Sequence, residues 1–155
     1  MKRKLLNQKR KKMSNENLIK IIENTILNDF QKSLEIEKKY HQEAERMERI
    51  GLGRSNGYLE LIEEKLSISY FTAYLYRLFE VIRKLEPSTI KSISPEEMRI
   101  KRNVQMWKKS DIKNIRKMRK KVGNGGVDLM KRSINNGISR LNKYIEVLAA
   151  GIKDL

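Results

Sequence analysis

The chain has 155 residues, of which 39% are apolar, and its 35 Lys and Arg outnumber its 19 Asp and Glu, so the formal net charge is +16 at pH 7. This length predicts one compact domain with a hydrophobic core. The absence of cysteine excludes disulfides, thiolate nucleophiles and cysteine-ligated zinc, and one histidine, His41, cannot form a histidine-rich metal centre. We therefore predict no cofactor, no metal and no catalytic site.

The positive charge is concentrated in two segments. Residues 1–12 contain seven Lys or Arg and no acid, and residues 99–121 contain eleven against a single Asp. The stretch from 13 to 98 has a net charge of −3. Because like charges at this density repel one another, a polyanion such as nucleic acid is the simplest partner.

Residues 1–13 are predicted to be a flexible basic arm, because they contain too little apolar surface to fold alone. They also lack the apolar run of a signal peptide, and nothing in the chain approaches a transmembrane span. We therefore predict a cytoplasmic protein without a membrane partner. Residues 14–155 are predicted to form a single helical domain.

The first predicted helix starts after Ser14 as N-cap and continues to residue 50 without Gly or Pro. Its apolar stripe shifts near the middle, which predicts a bend or a loss of packing at residues 35–38. The glycine-rich segment 51–57 predicts a break. A second helical region is predicted over 58–85, with an interruption at 67–69.

The C-terminal half predicts three further helices. Ser94 and Pro95 are typical of a helix start, and Ser110 or Asp111 is placed to cap the next helix, which the glycines of 123–126 would end. The last helix has the clearest apolar stripe, from Met130 to Ile152. The predicted fold class is an all-α bundle of about five helices.

Basic residues in both charged segments are the predicted nucleic-acid contacts. Within residues 112–122 the cations share one predicted helix face, so they are available to phosphates. The other predicted face is apolar and contains Ile112, Ile115, Met118 and Val122. Trp107 is predicted either to pack in the core or to stack on a base. The predicted contacts are Lys2, Arg3, Lys4, Lys9, Arg10, Lys11, Lys12, Arg99, Lys101, Arg102, Lys108, Lys109, Lys113, Arg116, Lys117, Lys120 and Lys121.

The segment 61–78 resembles a helix-turn-helix unit. Apolar Ile62 and Leu66 precede a turn at Ser67, and a second helix follows, on which Tyr74 and Arg77 would face a DNA groove. If the segment is instead one helix of a bundle, Tyr70 and Tyr74 are packing residues. The first interpretation predicts a DNA-binding regulator, or a plasmid or phage replication or partition protein.

Two further segments, Thr72-Ala73-Tyr74-Leu75-Tyr76-Arg77-Leu78-Phe79-Glu80-Val81-Ile82 and 140–150, carry a second resemblance. Together with the basic middle they are similar to the small helical subunit of type III-A CRISPR effector complexes, the Csm family. The resemblance implies a non-catalytic subunit that holds RNA through its backbone, has other protein subunits as partners, and uses Arg77 as a contact. The leading prediction is therefore a nucleic-acid-binding protein with RNA favoured over DNA, and an RNA-packaging or ribosome-associated protein is a third possibility.

Overall fold

Four helices make up the described part of the chain. The computed structural model describes residues 15–84 and 93–153, with side chains over 19–84 and 99–151. Every regular element within these ranges is a helix, so the predicted all-α class is confirmed, whereas the predicted arm lies outside them. The helices are α1 (Asn15–Arg49), α2 (Asn56–Arg83), α3 (Ile93–Lys117) and α4 (Arg119–Lys153).

The predicted fifth helix is not separate in the described residues, because its predicted start is continuous with the preceding helix and its predicted end at the glycines is present only as a kink. Helix α3 passes through Ser110 and Asp111 without a break. The boundary falls instead at Met118, whose backbone N–H bonds to the carbonyl of Ile115 at 2.9 Å. Gly123, at φ 74° and ψ 173°, kinks α4 rather than ending it, and the helix resumes through the remaining glycines.

Helices α1 and α2 form an antiparallel hairpin. The interruption predicted at 35–38 takes the form of lost packing, since α1 continues unbroken while Leu34 and Ile36 are 43% and 45% exposed. Gly51 adopts a positive φ of 82° in the connecting turn. Ser55 then caps α2, and its Oγ accepts a hydrogen bond from the N–H of Tyr58 at 3.1 Å.

Successive helices run in opposite directions. Along α1 and α2, Ser33 contacts Thr72 while Glu48 contacts Tyr58, which is the order expected of antiparallel helices. Helix α3 runs back along α4, because Lys101 pairs with Glu146 near the end of α4 at 3.1 Å. The shared core contains apolar residues of all four helices, namely Ile22, Ile26, Tyr74, Leu75, Leu78, Ile100, Val104, Ile115, Ile134, Ile138, Leu141 and Ile145.

Helices α2 and α4 approach each other closely where their residues are small. Ser67 and Ser133 are buried, and Gly137 lies against the α2 backbone. A Cβ placed on Gly137 would lie 3.1 Å from the N of Phe71 and 3.2 Å from the O of Ser67. Because these neighbours are backbone atoms, the α2 backbone itself would have to move to relieve the contact.

We therefore expect Gly137→Ala to lower the free energy of unfolding by about 1–3 kcal/mol, the usual penalty for overpacking a dense core. Gly125→Ala is the matched control, because a Cβ there meets no atom within 4 Å. The control is expected to be neutral or to stabilise α4 by up to about 1 kcal/mol through helix propensity. Urea unfolding followed by circular dichroism measures the free energy of unfolding of both variants. Equal effects would contradict the close approach of α2 and α4 at Gly137.

Candidate nucleic-acid interface

The outer face of α3 carries a row of exposed side chains opposite the core. Ile100, Val104 and Ile115 are buried and Trp107 packs against them, which defines the inner face. At 3.6 residues per turn, a set spaced by three or four residues lies about half a turn away. We call this set the α3 stripe, and its members are Arg99, Arg102, Met106, Lys109, Lys113 and Arg116.

The positive charge of this region is largely uncompensated. Lys101 is the one cation of residues 99–121 with an ion pair to a described residue, through Glu146. The five cations of the α3 stripe have no carboxylate partner among the described residues. Surface cations that are paired with acids attract a polyanion less, so this face of the described structure has the field expected of a phosphate-binding surface.

Asp111, the single acid of residues 99–121, points inward and accepts two hydrogen bonds there. Its Oδ2 accepts a hydrogen bond from the hydroxyl of Tyr74 at 2.6 Å and a second from Arg77 at 3.3 Å. Burial, together with this bond to Asp111, raises the pKa of Tyr74 far above its ordinary range, so the hydroxyl remains a donor. Asp111 therefore joins α3 to α2 and leaves the α3 stripe purely cationic.

Arg77 has internal partners on three sides. Besides Asp111, its guanidinium lies 5.4 Å from the ring centroid of Tyr74 and 5.9 Å from that of Trp107. These two rings are parallel within 3°. The side chain is still 43% exposed, and its contacts with Trp107 and Asp111 stabilise the packing of α2 on α3. Trp107 itself packs against the core, as the first of its two predicted roles requires.

The helix-turn-helix prediction is wrong. Residues 61–78 lie within the continuous helix α2, and there is no turn at Ser67. The Ser67 hydroxyl donates to the carbonyl of Glu63 at 2.8 Å, which satisfies it within the helix. Tyr74, predicted in that interpretation to face a DNA groove, is 1% exposed and belongs to the core, whereas the bundle-helix interpretation places it correctly.

The basic strip is also divided differently from the prediction of one helix over 112–122. Lys113, Arg116 and Lys117 end α3, whereas Lys120 and Lys121 lie at the start of α4, before the Gly123 kink. All five are exposed. With Arg119, whose exposed cation the sequence reasoning left out, residues 117–121 form a basic corner that continues the α3 stripe around the end of the helix.

The acids elsewhere in the described structure mostly face cations or hydroxyls on neighbouring turns and helices. Glu43 pairs with Arg46 at 2.6 Å, and Glu63 pairs with Arg132 of α4 at 3.0 Å. His41 lies 2.9 Å from Glu45 and accepts a hydrogen bond from Lys65. Among the side chains described, those of 19–84 and 99–151, no three acidic or histidine groups gather as metal ligands. No helix of the described residues is long and apolar enough to cross a bilayer.

Comparison with protein-family models, with curated proteins and with solved structures finds no match to this chain. The resemblance to the small CRISPR subunit therefore stays a prediction from the sequence. The interface is supported by the geometry and charge of α3 and of the basic corner alone.

Proposed function

We propose that this protein binds nucleic acid without catalysing a reaction on it, and that it does so through the phosphate backbone. The α3 stripe and the basic corner supply the contacts. The Lys and Arg of residues 1–12, which lie outside the described residues, are proposed to add to them. Contacts of this kind position a protein on nucleic acid without selecting a sequence.

One observation carries the proposal: the cations of the α3 stripe have no acidic partner among the described residues, while Asp111, the only acid of residues 99–121, is turned toward α2. Mixed charge would serve solubility equally well, and α1 and α2 show such a mixture. The nine cations of the α3 stripe and the basic corner repel one another in the free protein. Binding a polyanion relieves that repulsion and releases its counterions.

The cellular setting is a narrower proposal that rests on the sequence resemblance. In that setting the chain is a small RNA-binding subunit of a CRISPR ribonucleoprotein in the cytoplasm, and its partners are the other subunits. RNA of regular length that co-purifies with the chain and with a constant set of proteins would support it. A chain that purifies alone with heterogeneous nucleic acid would contradict it.

The test of the general proposal is a salt titration of binding to a labelled nucleic acid of mixed sequence, followed by fluorescence anisotropy. Five contacts from the α3 stripe predict that log K falls with log salt with a slope of about −3.5 to −4.5, at 0.7–0.9 per contact. An unrelated sequence of equal length is the control and should give the same slope, since phosphate contacts are common to all sequences. Absence of binding at low salt, or binding that is independent of salt, would contradict the proposal.

A further inference from the structure

The arrangement of side chains around α3 bears on which form of nucleic acid it accepts. At about 100° per residue, the α3 stripe and Lys117 span two flanks and a crest. Arg99 and Lys117 lie on one flank, and Arg116 lies on the other, about 100° away. Arg102, Met106, Lys109 and Lys113 lie between the flanks, on the crest that faces away from the bundle.

Two cationic flanks on one helix match two rows of phosphates rather than one. The major groove of B-form DNA is about 12 Å wide, it admits an α-helix, and a phosphate row borders it on each side. The crest residues would then face the floor of the groove. Arg and Lys can bind the O6 and N7 atoms of guanine there, and an apolar side chain can contact the methyl group of thymine.

Met106 gives an independent indication. It is 67% exposed, at the centre of a row of cations, where an apolar side chain contributes nothing to the core of the described structure. The next large apolar side chains on α3, Val104 and Trp107, face inward. A methionine in this position is available for an apolar contact in the complex.

The other forms of nucleic acid fit this surface less well. Single strands are usually held in a groove lined with aromatic side chains, and the only aromatic of α3, Trp107, faces the core and is covered by Arg77. A-form RNA has a deep, narrow major groove that does not admit a helix. We infer that α3 binds in the major groove of double-stranded DNA, with Met106 toward the base edges and the cations of the α3 stripe reaching the phosphate rows on either side.

This inference rests on the proposed function, and the experiment separates the two. Four unlabelled competitors of one sequence, about two helical turns long, are compared at one salt concentration: duplex DNA, duplex RNA, single-stranded DNA and single-stranded RNA. We expect duplex DNA to compete at least about tenfold better than the others, since it alone offers the groove. If no competitor binds, the proposed function fails, and if RNA or single strands compete equally or better, only the inference fails.

Guanine methylation at N7, an atom of the major groove, provides the second readout. Protection of guanine N7 on binding is expected, and its absence in a saturated complex would overturn the inference even if duplex DNA were preferred. Met106→Glu places a carboxylate on the crest and should weaken duplex binding at least about tenfold. Val147→Glu makes the same charge change at a 72% exposed position of α4, and it should change the affinity for duplex DNA by less than about threefold.

Discussion

Replacing Arg102, Lys109, Lys113 and Arg116 together by Gln is expected to weaken nucleic-acid binding by about 10²- to 10³-fold near 0.1 M salt. Each lost phosphate contact removes about 0.7–0.9 from the slope of log K against log salt, so the slope should flatten by roughly 3. All four side chains are exposed and have no ion pair with a described residue. Fold stability should therefore be unchanged or should rise as repulsion is relieved, and circular dichroism can verify this.

The matched control replaces Lys20, Lys32, Lys38 and Lys39 by Gln. These lysines are exposed on α1, and their loss lowers the net charge by the same amount. Because they lie on a helix of mixed charge, away from the α3 stripe, we expect the affinity to change by less than about fivefold. Equal losses in the two variants would show that binding follows total charge, which would contradict a localised interface on α3.

Truncating the core at Leu141 is expected to have the largest effect on stability. Leu141 is fully buried at 0% exposure, in the part of α4 that packs on the other helices. Leu141→Ala should lower the free energy of unfolding by about 2–5 kcal/mol, the sum of lost apolar burial and the remaining cavity. Urea unfolding should give a lower midpoint with a nearly constant slope.

Val147→Ala serves as the control for this truncation, because Val147 lies on the same helix and is 72% exposed. We expect it to change stability by no more than about 0.5 kcal/mol. At a temperature where the Leu141→Ala protein is still folded, its nucleic-acid affinity should match that of the wild type, since the α3 stripe is intact. If Leu141→Ala lowered the free energy of unfolding by as little as Val147→Ala does, the burial of Leu141 in the core would be contradicted.

The helices and most of the core were predictable because helical periodicity is a local property of the sequence. The stripe of the last helix predicted Ile134, Ile138, Leu141 and Ile145 as core residues, and all four are buried. The glycine-rich break after α1 was also correct, since Gly51 adopts a left-handed φ that other residues rarely adopt. Signals of this kind need no knowledge of which helix packs on which.

The errors occurred where a residue type has both a local and a tertiary use. Ser67 is common in turns, yet in α2 its hydroxyl bonds within the helix and its small size suits the approach of α4 at Gly137. Asp111 is a good N-cap by type, yet it is engaged by Tyr74 from α2. In both cases contacts with another helix supply free energy that exceeds the local preference for a turn or a cap.

The sequence by itself determined the helical class and the concentration of cations in residues 99–121, because periodicity and charge are read directly from residue order. Only the tertiary structure decided how that charge is displayed. Burial of Ile100, Val104 and Ile115, with the contacts of Trp107 and Asp111 on α2, sets a rotation of α3 that places the α3 stripe outward and Asp111 inward. The physical reason is that a helix orients by burying its apolar face, and the partner of that face comes from residues distant in the chain.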